Sequence, residues 1–337
     1  MHCVSRPSKA LAVLITVLMS VSLVANAAVE KSASPEPVTF FVASDPHYEM
    51  SPYKWRNKNV PKVIKHMNQL PGSSWPSKFD AGEVHEPRGV FMLGDLIDDG
   101  DRGHETAAQW AQYASDVGLT EKGGLLKSDV FEAWGNHDGP PIGQESKGFS
   151  TQKQLKRRNQ YRKQLGLVDH ISDNGMHISW DWGNVHFIMA GIYPANQQNE
   201  KVGYNRVWHD PQNALEFVKK DLRENVGDSG RPVVIGAHCG FDTDWWVPED
   251  WKRFYEAVKP YNVILYMHGH TGTKVYSWKP DGSEGEPLNV INTGQAHDNF
   301  FVIRVTEERM IFANRVLDHD SDTWSWHSIR EIPLNSN

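Results

Sequence analysis

The sequence predicts an α/β fold whose chain closes with an antiparallel β run. Three observations lead to this prediction. Up to His270, short apolar segments alternate with segments whose apolar residues recur at helical spacing, the order expected of strands and helices packed in layers. Five of the apolar segments end directly before a residue that can bind a metal ion. From Pro287 onward only strand-like segments follow.

The first element, an apolar strand over residues 38–44, leads into Asp45-Pro46-His47. Four later strands have the same layout: 89–93 leads into Asp95, 130–134 into Asn136-His137-Asp138, 232–237 into His238, and 262–267 into His268-Gly269-His270. In open α/β sheets, binding residues gather at the carboxyl ends of the strands. We therefore expect these five strand ends to converge on one site.

The remaining elements follow from periodicity and from the positions of proline and glycine. A long insertion at 48–88 contains one predicted helix at 62–70, and connections this long are usually functional or disordered. Further helices are predicted at 104–117, 151–165, 211–224 and 248–259, and further strands at 176–182, 184–190, 288–292, 300–306, 310–316 and 324–331. No repeat or linker interrupts this order, so residues 38–337 are predicted to form a single domain.

Residues 1–27 have the layout of a secretory signal peptide. Arg6 and Lys9 form a positive start, an apolar stretch follows at 11–24, and Ala25-Asn26-Ala27 has the small residues of a cleavage site. The stretch is shorter than the roughly 20 residues of a membrane span, although an uncleaved anchor is the alternative. We expect a secreted or periplasmic protein without a stable membrane span, preceded by a flexible lead-in at 28–37.

Composition argues against several other classes of protein. Cleavage after residue 27 removes two positive charges and no negative ones, so the net charge falls from −7 to −9, and no nucleic-acid partner is expected. Cys239 would be the one remaining cysteine, which excludes an internal disulfide. Gly-x-Ser-x-Gly, Walker and Rossmann glycine patterns are absent as placed motifs. The oligomeric state has no signal in the sequence.

The residues at the strand ends form a mixed set of carboxylate, amide and imidazole donors. The candidate metal ligands are Asp45, His47, Asp95, Asn136, His238, His268 and His270. This mixture suits manganese, iron or zinc better than calcium or magnesium. Seven ligands exceed the need of one tetrahedral ion, and two ions bridged by an Asp would clamp the attacking and leaving oxygens at phosphorus and activate the water between them.

Such a reaction also requires an acid that protonates the leaving alkoxide. His137 and Asp138 are the candidate catalytic residues, because adjacent side chains at a strand end point in different directions. In this interpretation Asn136 faces the metal ions and His137 faces the substrate. Asp138 would then fix the tautomer of His137.

The same residues resemble the motifs of a known family. Asp45-x-His47, Gly94-Asp95-x-x-Asp98, Gly135-Asn136-His137-Asp138, a lone His238 and a final Gly269-His270-Thr271 occur in the order typical of the calcineurin-like metallophosphoesterase superfamily. Within it, the chain is most similar to exported bacterial members. The resemblance implies a four-layer sandwich of two mixed β-sheets flanked by helices.

The resemblance also implies two divalent or trivalent metal ions bridged by Asp95. Carried over residue by residue, it places Asp45 and His47 on the first ion and Asn136 and His238 on the second. His137 would serve as the leaving-group acid.

The end of the motif series departs from the family pattern. The family usually has Gly-His-x-His, whose first His serves the second ion and whose second His serves the first. Here Gly269-His270-Thr271 is followed by Gly272, so in this register the second His is missing. In the alternative register, His268-Gly269-His270 supplies both histidines. We favour the register in which His268 and His270 both bind; if His268 does not, the first ion is poorly held.

Five further residues are candidates for substrate binding. Arg157 and Arg158, in the basic helix at 151–165, could hold a substrate phosphate, the alternative being a solvated basic face. Trp245 and Trp246 could form an apolar wall, the alternative being packing beneath a loop. His297 could line the site or be an ordinary hydrogen-bonded histidine. Asp98 is expected to support its turn by binding backbone amides.

Together these features predict an exported, binuclear metal-dependent phosphoesterase that acts on a small phosphorylated substrate. A metal-bridging hydroxide would attack phosphorus, and His137 would protonate the leaving group. A phosphomonoesterase (phosphatase) is favoured over a phosphodiesterase because export fits phosphate scavenging. The alternative from another class is an inactive phosphoesterase-like binding protein, which requires that His268 does not bind metal. Neither the physiological substrate nor the metal pair can be identified from the sequence.

Overall fold

The computed structural model describes residues 36–49, 55–145, 148–197, 206–243 and 245–334. The predicted signal peptide at 1–27 and nearly all of the lead-in at 28–37 lie outside these residues. The described chain forms two mixed β-sheets flanked by helices, which confirms the predicted fold class. None of the described helices has the length and apolar character needed to cross a membrane.

The described helices and strands follow the predicted order closely. The helices are α1 (Trp55–Gln69), α2 (His104–Val117), α3 (Thr151–Gln164), α4 (Ala214–Asp221) and α5 (Pro248–Val258). The strands are β1 (Val38–Ala43), β2 (Val90–Met92), β3 (Val130–Glu132), β4 (His170–Ile171), β5 (Ile178–Trp182), β6 (Val185–Met189), β7 (Val233–Gly236), β8 (Val263–His268), β9 (Thr273–Trp278), β10 (Leu288–Thr293), β11 (Asn299–Val305), β12 (Arg309–Asp318) and β13 (Thr323–Pro333).

The two sheets differ in strand order, but each contains a set of parallel strands. One sheet has six strands in the order β13-β12-β11-β1-β2-β3, and the other has seven in the order β4-β5-β6-β7-β8-β10-β9. Strands β1, β2 and β3 run parallel, as do β6, β7, β8 and β10. Their carboxyl ends carry the predicted ligands, so the fold gathers these residues at one end of the parallel strands.

The core between the sheets explains why the central strands are nearly continuous apolar runs. All six residues of β1 and all five of β6 are buried, as expected for parallel strands covered on both faces. Aromatic rings from the two sheets meet there. The ring centroids of Phe131 and Trp180 lie 4.2 Å apart, and those of Phe40 and Phe187 lie 5.3 Å apart. These aromatic contacts hold the two sheets against each other.

Local sequence signals account for several element ends. Ser150 caps α3 by accepting a hydrogen bond from the Lys153 backbone N–H at 3.2 Å. Pro248 lies in the first turn of α5, where its missing N–H costs nothing. Gly183 has a φ of 58° in the tight turn between β5 and β6, a conformation that favours glycine.

The structure corrects the prediction at three places. Helix α1 begins earlier than the predicted residue 62, at Trp55, and contains Pro61. Strand β10 pairs in parallel with β8, so the closing antiparallel run comprises β11 to β13 alone. Strands β4 and β9 were missed because β4 has two residues and β9 is largely exposed, which removes the apolar pattern.

Candidate metal centre

The backbone is strained where the strands leave the sheets. Asp45, His47, Asp95 and His270 have φ angles of 52°, 43°, 50° and 71°, in the left-handed region that residues other than glycine seldom adopt. Hydrogen bonds from Asp45 N to Gly94 O and from His47 N to Asp95 O, both 3.0 Å long, hold the ends of β1 and β2 together. Strain of this kind clusters at functional sites.

One group of donors surrounds His47. Its Nε2 atom lies 3.5 Å from Asp45 Oδ1 and 3.5 Å from Asp95 Oδ2. Its Nδ1–H donates to Asp98 Oδ1 at 3.1 Å. Because Nδ1 is occupied, Nε2 is the ring nitrogen directed at the two carboxylates, which is how supporting hydrogen bonds orient a metal-binding histidine.

A second group surrounds His238. Its Nε2 atom lies 3.2 Å from Asp95 Oδ2 and 3.0 Å from Asn136 Oδ1, and its Nδ1–H donates to the Leu93 carbonyl at 2.8 Å. The ring of His270 lies 5.1 Å from that of His238, centroid to centroid. The backbone N–H of His270 donates to Asp45 Oδ2 at 2.9 Å, so this residue also joins the two groups.

Asp95 lies between the two groups. Its Oδ2 atom faces both His47 and His238, whereas its Oδ1 atom accepts a hydrogen bond from the His137 backbone N–H at 2.8 Å. The ligand atoms of Asp45, Asp95 and His238 lie within 4.8 Å of one another, and so do those of His47, Asp95 and His137. Asp95 is the member that these two sets share.

The buried carboxylates need positive charge close by. Burial alone would raise the pKa of Asp95, but the charge of His238 holds it well below its ordinary value. Burial opposes the charged form of His47, yet hydrogen bonds with Asp45 and Asp98 raise its pKa to about 10. Imidazolium or metal ions can supply this charge in a buried site.

His270 has the opposite character, because burial and the charge of His238 lower its pKa to about 4. A neutral imidazole is the form that binds a metal ion, so this shift favours metal binding at His270. Cys239 lies near His238 and His270, but burial raises the pKa of its thiol well above the ordinary value, which argues against a thiolate ligand.

The donor chemistry fits divalent transition metal ions. Two carboxylates, one amide oxygen and three imidazoles converge, and such mixed N/O sets suit manganese, iron or zinc. The backbone is also adapted to close approach. A Cβ atom at Gly94 would lie 2.8 Å from His238 Nδ1, so only glycine fits at this position, just after β2. The residues that bring these donors together are Asp45, His47, Asp95, Asn136, His238 and His270.

The residue that orients His137 differs from the prediction. Its Nδ1–H donates to the backbone carbonyl of Asp98 at 2.8 Å, and its side chain is 35% exposed. Asp138 instead accepts backbone N–H bonds from Leu96 at 2.8 Å and Gly135 at 2.7 Å, and burial and nearby Asp95 raise its pKa to about 8. Asp138 braces the two turns and does not contact the imidazole.

The roles expected of the two aspartates are therefore exchanged. Asp98 was predicted to bind backbone amides, but its carboxylate accepts hydrogen bonds from His47 and from Arg56. Asp138 binds the backbone amides instead, because it lies in a tight turn that directs its side chain toward the residues after β2.

His268 does not join the donor groups, contrary to the favoured register. Its Nδ1–H donates to the Gly269 carbonyl at 2.9 Å, and its Nε2 atom lies 2.9 Å from Tyr276 Oη. Both ring nitrogens of His268, the last residue of β8, therefore have partners outside the donor groups. Gly272 contributes no side chain, and a Cβ there would have no neighbour within 4 Å.

The predicted substrate residues are mostly structural. Arg158 donates from Nε to Glu132 at 2.9 Å and packs over Trp110 at 5.8 Å, so it serves an internal ion pair. Arg157 lies on the exposed face of the same helix, as the solvated alternative predicted. Among the described residues, neither arginine has a hydrogen bond or ion pair with the donor groups.

The two tryptophans have separate environments. Trp246 is buried in the core and donates from Nε1 to the Gly240 carbonyl at 2.9 Å, so it forms no wall of the site. Trp245 does lie at the site, with its ring 4.3 Å from that of His270. His297 is buried and its Nε2 atom lies 3.3 Å from Asp298 Oδ2, in keeping with the alternative of a hydrogen-bonded histidine.

Comparison with known proteins supports the same interpretation. The calcineurin-like phosphoesterase family profile matches residues 38–273, the span that contains every ligand named above. No curated protein matches the chain by sequence.

Solved structures with the same fold include a purple acid phosphatase from yellow lupin (Lupinus luteus) seeds. The identity is 13% and the TM-score 0.51, over 88% of this chain and 54% of the lupin chain. GAP50, the anchor in the inner membrane complex of Plasmodium, has 10% identity and a TM-score of 0.48, over 87% of this chain and 89% of that one. The chain thus spans about half the length of the lupin protein, and the likeness concerns the fold.

Proposed function

The chain belongs to the calcineurin-like phosphoesterase family of metal-dependent phosphoric ester hydrolases, and we propose that it is an exported phosphomonoesterase with a binuclear metal centre. The position of Asp95 carries this proposal. One oxygen of its carboxylate faces His47 at 3.5 Å and His238 at 3.2 Å, so two ions on either side would share it. The signal-like segment at 1–27 supports export.

The two proposed metal positions draw on different residues. Asp45, His47 and Asp95 would hold the first ion, and Asp95, Asn136, His238 and His270 the second. When bound, such ions act as Lewis acids at phosphorus and lower the pKa of water. Because His268 Nε2 contacts Tyr276 Oη and Gly272 has no side chain, the first position has fewer protein ligands, and we expect its ion to exchange more readily.

His137 would deliver the proton to the leaving group. The Asp98 carbonyl accepts its Nδ1–H, so Nε2 is the nitrogen that gives a proton to the departing alkoxide. The Asp95 carboxylate fixes the backbone of His137 through its N–H, and Asp138 braces the turn on which both depend. Trp245 beside His270 offers an apolar surface for the leaving group.

An inactive binding protein is the competing proposal, and the orientation of His268 favours it. Against it stands the rest of the ligand set, since a decayed site would not retain six converging donors together with His137.

Purified protein supplied with manganese or zinc should hydrolyse an aryl phosphomonoester. His137→Ala should lower kcat by about 10²- to 10⁴-fold while metal content is unchanged. No turnover with any metal would exclude the phosphoesterase proposal.

A further inference from the structure

The insertion after β1 brings a cation to the edge of the metal centre. Asn57 Nδ2 donates to the Glu49 carbonyl at 2.8 Å, and the Glu49 N–H donates to Asn57 Oδ1 at 3.0 Å. These reciprocal bonds fix the start of α1 to the segment that follows His47. Val63 and Met67 on the same helix are buried in the core, so the helix is anchored along its length. Arg56, beside Asn57, is therefore held close to the site.

The guanidinium of Arg56 shares one carboxylate oxygen with the two histidines of the site. Its Nη1 donates to Asp98 Oδ1 at 3.1 Å. The same oxygen accepts from His47 Nδ1 at 3.1 Å and lies 3.7 Å from His137 Nδ1. Arg56 is thus separated by a single side chain from a metal ligand and from the proposed acid.

Arg56 is also partly exposed to solvent, as is His137. The side chains of Arg56 and His137 are 28% and 35% exposed, whereas that of His47 is 7% exposed. Within the described part of the chain, the polar contacts of Arg56 use Nη1, which leaves Nε and Nη2 as donors. Two N–H donors on the same edge of a guanidinium can bind two oxygens of one phosphate group at once.

We propose that Arg56 binds the non-bridging oxygens of the substrate phosphate and favours a terminal dianion. The inference deepens the proposed function and rests on it. A phosphomonoester carries more negative charge at phosphorus than a diester, so an added cation stabilises the bound monoester more strongly. Glu49 Oε2, 3.7 Å from Arg56 Nη1, competes with the substrate for this charge and sets how much of it is available.

Kinetics of the manganese-loaded full chain test the proposal. Arg56→Ala should raise the KM for an aryl phosphomonoester and the Ki of inorganic phosphate about tenfold, the loss expected for one charge-assisted hydrogen bond. The KM for a bis-aryl phosphodiester should change less, and kcat and metal content should be unchanged. Glu49→Gln should lower the monoester KM. Arg102→Ala is the matched control, because Arg102 pairs with Asp99 in the same acidic turn and is 60% exposed.

The outcomes separate this inference from the proposed function. An unchanged phosphate Ki and monoester KM in Arg56→Ala would overturn it, and so would a loss of metal with unchanged KM, which would make Arg56 a positioning residue for Asp98. If the wild type hydrolyses neither ester, calorimetric titration with inorganic phosphate decides. Binding that Arg56→Ala weakens would support the anion site although the enzyme proposal fails. No phosphate binding by the metal-loaded wild type would overturn both.

Discussion

Glu132 offers a sharp test of the interpretation that the basic helix α3 is structural. Its buried carboxylate binds Arg162 and Arg158, and it accepts a hydrogen bond from Tyr113 Oη at 2.6 Å. Arg162 is fully buried and Arg158 nearly so. Glu132→Gln would leave two guanidinium groups inside the protein without a carboxylate. Removing one partner of a buried ion pair costs about 3–5 kcal/mol of the free energy of unfolding.

The pKa of Glu132 gives an independent magnitude. Burial alone would raise this pKa, but Arg158 and Arg162 outweigh it and lower the pKa from 4.5 to about 2. A shift of that size corresponds to about 3 kcal/mol of stability. Since the folded pKa is depressed, this contribution is fully present above pH 4.5 and is lost as the pH falls through 2. The difference between wild type and Glu132→Gln should therefore shrink in this window.

Urea unfolding at pH 7 and at steps down to pH 2 measures both quantities. Glu331→Gln is the control, because Glu331 pairs with Arg309 at the surface, where such pairs contribute about 0–1 kcal/mol. A Glu132→Gln variant that unfolds within about 1 kcal/mol of the wild type would refute the reasoning. So would a larger difference that does not depend on pH.

Two further predictions concern histidines outside and inside the ligand set. His270→Ala should lose bound metal, as measured by mass spectrometry. His268→Gln should retain the wild-type metal content, because glutamine can keep a hydrogen bond to Tyr276. Equal losses of metal in the two variants would contradict the structure. His186 is buried between Asp181 at 2.7 Å and Asp221 at 2.6 Å; burial lowers its pKa, but these hydrogen bonds raise it above the ordinary 6.5. The stability that it contributes is therefore full below pH 6.5 and is lost as the pH rises through the folded pKa. Denaturation of His186→Gln should show its largest deficit below pH 6.5, and a deficit that grows at alkaline pH would contradict the assignment.

Features written in local sequence were predictable. Each strand end that carries a candidate ligand was visible as an apolar run followed by Asp, Asn or His, and the ordered motifs pointed to the fold and the family. The parallel strands then align these ends without any further sequence signal. The donor groups around Asp95 are the structural counterpart of that linear pattern.

Features that depend on side-chain direction or on distant partners were not predictable. His268 and His270 are two residues apart, but the chain leaves β8 between them and turns through a left-handed residue, so alternation no longer holds. Asp98 and Asp138 exchanged roles because the curvature of each turn decides which carboxylate meets the backbone amides. Arg158 was predicted to bind substrate because the neighbouring sequence does not reveal its ion pair with Glu132, which lies 26 positions earlier in the chain.

Arg56 illustrates the same limit within the insertion. Its position depends on the reciprocal bonds between Asn57 and Glu49 and on the packing of α1 against the six-stranded sheet. No motif marks such a residue, because an arginine in a long insertion is by default a solvated side chain. Only the folded arrangement brings it to Asp98.

The central claim is that Asp95 bridges two metal ions, and the manganese-loaded protein tests it most directly. Metal content and electron paramagnetic resonance of the wild type should show two ions per chain with exchange coupling between them. Asp95→Asn should abolish the coupling and lose at least one ion. A wild-type protein that binds no more than one ion, with an uncoupled spectrum at saturating manganese, would contradict the account.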